Sequence, residues 1–307
     1  MENHQLGEYI RQRRVELGLT QSEVCSGICE AITLSRLENG RQTPSRACIN
    51  ALLQRLGLPA DHYCALLSRA ELEIEALKKE IVGCNITKQT DKGLDMLVQL
   101  KTLAAPDDSL TQQFILRSRC LLLGRANRIT LQERYELVLQ ALRLTVPGFE
   151  TDRIEAFLYT SEEIKLINHL SILHSQMGDN KKAADIGYQL LRYLQGHFKP
   201  DQTIATIGML PLVLYHYVRA LDLCKCYEEG AALARRGQEV CTKYHHYQFL
   251  PNFLEIQAEC LHFLGRDTES AELYRQAYYT SRVFGIESDI RNHRREAILY
   301  HNLTLED

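Results

Sequence analysis

The chain has no run of about 18 apolar residues, the length that a membrane-spanning helix needs. Its opening MENHQLGEYIRQ also lacks the apolar core of a secretion signal. A cytoplasmic protein with no membrane partner is expected. There is no glycine-rich phosphate loop, no metal motif and no nucleophile set beside a base, so an enzyme is not expected. Neither Cys25 and Cys29 nor Cys224 and Cys226 is joined by a second pair or a histidine cluster at zinc-site spacing. Cys120, Cys241 and Cys260 stand among apolar neighbours, so free buried thiols are expected, with no metal and no cofactor. The His245-His246 pair likewise lacks a partner at ligand spacing and reads as part of a loop. A dominant charge is missing too: 36 Lys and Arg face 39 Asp and Glu, and residues 1–66 balance seven Arg against seven acidic residues. That balance argues against holding nucleic acid by bulk electrostatics, so any case for DNA has to rest on pattern.

What is present is enough for two folded domains: 307 residues, 45% hydrophobic and 24% charged. Leu6, Ile10 and Leu17 form the apolar stripe of a first helix, with Arg14 in the same stripe and Gly18 as its stop. An arginine on an inward face needs a buried partner. Thr20-Gln21-Ser22-Glu23 has the spacing of a capping box and starts a second, short helix. Glu30 to Gly40 reads as a third, with Leu34 and Leu37 inward and Gly40 closing it in a left-handed conformation. At about 100° per residue, Ile32, Ser35 and Arg36 then face outward, with Ala31 and Thr33 at the leading edge. An exposed isoleucine is either an ordinary surface residue or a contact to a thymine methyl beside an arginine that can fork onto guanine. Ser45 can cap a fourth helix carrying Ile49, Leu52, Leu53 and Leu56, and Asp61 a fifth element with Tyr63, Leu66 and Leu67.

LTQSEV followed by SRLENG and TPS resembles the XRE-type, lambda-repressor-like helix-turn-helix, and the stretch from Gly18 to Gly40 resembles that of PlcR/Rgg-like regulators in particular. The resemblance implies that Arg14 pairs with Glu38, that Gln21 touches a phosphate, that Ala31, Ile32, Thr33, Ser35 and Arg36 face bases, and that Asn39 and Arg41 hold the DNA backbone. This sequence departs from the pattern in having a shorter turn between helices two and three and no Gln or Asn at the base-facing start. One such head makes few base contacts, so a homodimer on a near-palindromic operator in double-stranded DNA is expected.

Residues 70–82, AELEIEALKKEIV, form an amphipathic linking helix. Beyond it helices follow one another, and the turns near Gly178, Lys225 and Gly265 repeat: an apolar helix, a turn, then a helix led by small residues such as Ala183, Gly230, Ser270 and Ala271. An earlier copy spans 116–142, and 289–303 reads as a closing helix. This resembles the tetratricopeptide repeat, although the turns are 47 and 40 residues apart (178 to 225, 225 to 265) rather than the usual ~34. The expected fold is all-α: a helix-turn-helix bundle at 1–67, a linker helix at 68–83, and a right-handed superhelix of repeats at 84–307 for ligand sensing and dimerisation. The inward positions implied by the repeat resemblance form a mostly polar wall, and Lys165, Asn168, Ile172, Tyr215, Arg219, Asn252, Glu255 and Glu259 are the candidate ligand residues. Asn168 and Asn252 stand out, because an amide can donate to and accept from a peptide backbone at once. Together the two parts are similar to the RRNPP group of peptide-sensing regulators, which implies a short signalling peptide as ligand. A protein partner held by the repeats is the alternative.

Overall fold

The structure, a computed structural model, describes residues 2–58, 69–197 and 204–305. Their regular elements are all helices, with no strand among the described residues. The chain divides into two units, Met1–Leu173 with His197–Thr203, and His174–Gly196 with Ile204–Asp307.

The first unit begins with α1 (Glu2–Glu16), α2 (Gln21–Cys25), α3 (Ala31–Glu38) and α4 (Arg46–Arg55). Their ends follow from local chemistry. The Thr20 hydroxyl accepts from Glu23 N at 3.2 Å while the Glu23 carboxylate accepts from Thr20 N at 2.6 Å, completing the capping box. Ser45 Oγ accepts from Cys48 N at 3.2 Å. Gly18, Gly40 and Gly57 take the left-handed conformation just past α1, α3 and α4. Ile10, Val24, Leu34, Leu37, Ile49 and Leu52 are buried in one core, where each large aliphatic side chain contributes roughly 1.5–3 kcal/mol. The element expected from Asp61 to Leu67 lies outside the described residues.

The unit continues with α5 (Arg69–Ile86), α6 (Thr90–Leu103), α7 (Ser109–Arg125), α8 (Leu131–Thr145) and most of α9 (Ser161–Gln176). A buried arginine links the helical head to the ends of α8 and α9. Arg55, at 2% side-chain exposure, donates from Nη1 to the carbonyls of Val24 (3.0 Å) and Ser26 (2.6 Å) within the head. From Nη2 it donates to Thr145 O at the end of α8 (2.9 Å) and to Glu163 Oε1 on α9 (3.1 Å). Gln54 Oε1 accepts from Ser161 N at 3.0 Å, and Ser109 Oγ donates to Gly27 O at 2.7 Å. Nothing in the periodicity of either segment pointed to this junction.

The second unit holds α10 (Asn180–His197), α11 (Ile204–Leu223), α12 (Tyr227–Lys243), α13 (Leu250–Phe263), α14 (Asp267–Phe284) and α15 (Glu287–His301). The repeated turns share one geometry. A residue with φ between +53° and +89° (Asn127, Gly178, Lys225 or Gly265) is followed by an amide that bonds five residues back: Arg128 N to Leu123 O, Asp179 N to His174 O, Cys226 N to Leu221 O and Arg266 N to Leu261 O. This is the 6→1 bond of a helix C-terminus closed by a left-handed residue. Small residues past the turns let helices approach: Ala183 and Ser270 are buried, and a Cβ on Gly230 would stand 2.9 Å from Cys260 Sγ. The described cysteines are unbridged, and Cys120, Cys241 and Cys260 are buried.

Lys225 occupies its turn at φ +61°, where a side chain costs about 1–2 kcal/mol. Lys225→Gly is expected to raise stability by about 0.5–1 kcal/mol, once the larger entropy loss of glycine on folding is set against that relief. It reads out as a higher urea midpoint at unchanged slope, and a lower midpoint would contradict it.

Candidate DNA-reading face and ligand-binding cluster

In the head, geometry separates scaffolding arginines from surface ones. Arg14 forks onto Glu38, Nε to Oε1 at 2.6 Å and Nη2 to Oε2 at 2.9 Å, and its Nη1 donates to Leu19 O at 2.9 Å. The Glu38 bonds hold the guanidinium above its ordinary pKa, and Glu38 itself is buried. Arg13 donates to Leu56 O at 3.1 Å, and Arg55 is consumed at the junction with α8 and α9. Arg36 and Arg41 remain exposed.

On α3, Leu34, Leu37 and Glu38 point inward, while Ile32 is 58% exposed and Ala31, Thr33 and Ser35 are half-buried at its side. The outward face therefore carries the residues that the sequence placed there. Two other candidates are engaged within the head. Gln21 Nε2 donates to Glu38 Oε2 at 2.7 Å, because a carboxylate forked by Arg14 still has a lone pair to offer. Asn39 Nδ2 donates to Ser35 O at 2.7 Å, closing the last turn of α3. Gln21 and Asn39 thus orient α2 and α3 in addition to any contact outside.

The eight candidate ligand residues fall in both units. In the first, Lys165 Nζ is 2.6 Å from Glu162 Oε1, Asn168 is buried, and Ile172 is half-buried. In the second, Tyr215, Arg219, Glu255 and Glu259 converge. Arg219 Nη1 lies 2.5 Å from Glu259 Oε2, 3.4 Å from Asp222 Oδ2 and 3.5 Å from Glu255 Oε1. Tyr215 packs edge-on against Phe253, and Asn252 is half-buried on the same helix, α13.

Three carboxylates around one guanidinium leave excess negative potential. Burial, reinforced by Glu259, pushes Asp222 up to about 6. Burial likewise carries Glu255 well above the usual carboxylate range, against the pull of Arg219. Desolvation of Arg219 is outweighed by Glu255 and Glu259, which hold it above the ordinary arginine value. Tyr300 of α15 completes the cluster by donating to Glu259 Oε1 at 3.1 Å. The sequence offered no signal for Tyr300, since it lies 41 residues from its partner.

Residues 5–63 match the model of the helix-turn-helix domain. No curated protein matches the chain. Among solved structures, PlcR of Bacillus thuringiensis in complex with the peptide PapR7 and DNA is 19% identical, covering 96% of this chain and 99% of that one at a TM-score of 0.60. The apo form of PlcR gives 17%, 95%, 98% and 0.60. The apo competence regulator ComR of Streptococcus vestibularis is 15% identical, covering 97% and 99% at 0.50. The chain thus opens with a helix-turn-helix domain and shares the all-helical fold of PlcR and ComR over nearly its whole length.

Proposed function

We propose that this protein is a cytoplasmic, sequence-specific DNA-binding transcriptional regulator whose repeat helices bind a short signalling peptide. The observation that carries the reading is the outer face of α3. Ile32 and Arg36 project outward, while Arg13, Arg14 and Arg55 are held inside the fold. In this reading residues 1–67 are the head, 68–83 the link, and 84–307 the ligand-binding and dimerising part. Ala31, Ile32, Thr33, Ser35 and Arg36 meet base edges, with Gln21, Asn39 and Arg41 on the backbone. A homodimer on a near-palindromic operator supplies the affinity that one nearly neutral head lacks. Lys165, Asn168, Ile172, Tyr215, Arg219, Asn252, Glu255 and Glu259 are the ligand residues. PlcR, whose fold the chain shares, has been crystallised with both a peptide and DNA. The peptide can act only by binding one arrangement of the dimer better than another.

An operator selected from random duplexes with the wild-type protein provides the test. Arg36→Ala is expected to weaken binding to it by about 1–3 kcal/mol, roughly five- to 150-fold, with little change on random DNA of equal length at the same salt. Fluorescence anisotropy would measure both. Equal losses on the two duplexes would remove Arg36 from base reading.

A further inference from the structure

We propose that His262, Asp267 and His301 form a binding site for one divalent transition-metal ion of the zinc class, which fastens the closing helix α15 to α13 and α14. His262 stands at the end of α13, Asp267 opens α14, and His301 is the last residue of α15. The left-handed turn at Gly265 brings the first two together. One ligand atom from each of the three lies within 4.8 Å of the other two. The two imidazole rings meet perpendicular to each other, with centroids 5.1 Å apart.

The neighbouring hydrogen bonds leave His301 a lone pair. His301 Nε2 is 2.7 Å from Ser270 Oγ, which is itself 2.6 Å from Ala258 O. A carbonyl can only accept, so the single hydroxyl proton of Ser270 goes to Ala258, and Ser270 accepts from His301 Nε2–H. His301 Nδ1 then carries the lone pair. His262 Nδ1 lies 2.7 Å from Asp267 Oδ1, so an ion that displaces the proton shared by these two atoms takes both of them as ligands. For His301 this matches the usual arrangement in metal sites, where the other ring nitrogen of a histidine ligand is hydrogen-bonded within the protein.

The donor set decides the class of ion. Two imidazoles and one carboxylate suit zinc and its transition-metal neighbours, whereas calcium and magnesium prefer oxygen alone. Three protein ligands leave a fourth tetrahedral position for water. Tetrahedral bonds of ~2.0–2.1 Å require ligand atoms roughly 3.4 Å apart, so the 2.7 Å His262–Asp267 pair must open while any wider spacing closes. They have room to do so: the side chains of His262 and Asp267 are 28% and 62% exposed. The sequence concealed the site because its members are 5 and 34 residues apart (262 to 267, 267 to 301), outside any compact motif. Its position also matters. His301 adjoins Tyr300, which donates to Glu259, so an ion here would hold Tyr300 against the Arg219 cluster.

The full-length protein, stripped with a chelator, would be titrated with zinc chloride by calorimetry and with cobalt chloride by absorbance. We expect one ion per chain, a cobalt spectrum without a thiolate charge-transfer band, and an upward shift in Tm with zinc. His262→Ala, His301→Ala and the milder Asp267→Asn should each weaken binding by about tenfold or more, and the double histidine variant should lose the Tm shift. Circular dichroism on each variant confirms that it is folded. Absence of saturable zinc binding, a thiolate band, or unchanged affinity in the folded Asp267→Asn and double histidine variants would overturn the proposal.

Discussion

Glu163→Ala is expected to lower the stability of the protein by about 3–5 kcal/mol, the cost of leaving a buried charge without its partner. Arg55 and Glu163 are 2% and 0% exposed, and they meet at 3.1 Å. Without the carboxylate, the carbonyls of Val24, Ser26 and Thr145 still accept from the guanidinium but neutralise no charge. Thr160 N also loses its acceptor, since it donates to Glu163 Oε2 at 2.5 Å. Arg55→Ala should cost a similar amount, because Glu163 would then be the stranded charge. Replacing both with leucine should recover much of the loss, since a well-packed apolar pair can match a buried ion pair. Urea unfolding of the four proteins closes the cycle. A single-variant loss below about 1 kcal/mol would mean that water reaches the junction and solvates the remaining ion.

The second large effect is at the same junction. Gly27 has φ +71°, and a Cβ there would lie 2.2 Å from Thr145 O and 2.5 Å from its carbonyl carbon. Both obstacles are backbone, so no side chain can rotate away. Gly27→Ala is therefore expected to cost about 3 kcal/mol or more, combining left-handed strain with an overlap that must push the head off α8. Gly18→Ala is the control, since Gly18 has φ +69° with nothing within 4 Å of the added carbon. It should lose only about 1–2 kcal/mol, the conformational part. Hydrogen exchange should also rise around residues 145–163 in the Gly27 variant alone, as the bonds of Arg55 to Thr145 and Glu163 loosen. Equal losses in the two variants would show that the close approach to Thr145 carries no energy.

These expectations differ in how far the residues alone foretold them. The head was legible almost residue by residue wherever the signal is local. Thr20 with Glu23, Ser45, Gly18 and Gly40 each act within a turn or two of backbone, and each does what its spacing implied. The repeats were legible through their turns, and Lys225 shows that the left-handed position persists where glycine does not mark it. The pairing of Arg14 with Glu38 came from family resemblance rather than from spacing, and the structure shows it as a fork. What spacing did not show was the share of Gln21 in that pair, because it depends on how α2 lies across α3.

The sequence by itself determined the helices, their caps and stops, the inward stripes and the outward face of α3, all of which depend on a periodicity of 3.6 and on near neighbours. The tertiary structure alone decided which distant polar groups meet. Arg55 finds Glu163 across 108 positions, Tyr300 reaches Glu259 across 41, and His301 arrives beside His262 and Asp267. The physical reason is that a cap or stripe is fixed by backbone geometry one turn long. A remote pair depends on the register in which whole helices pack, and that register is set by apolar surfaces spread along the chain.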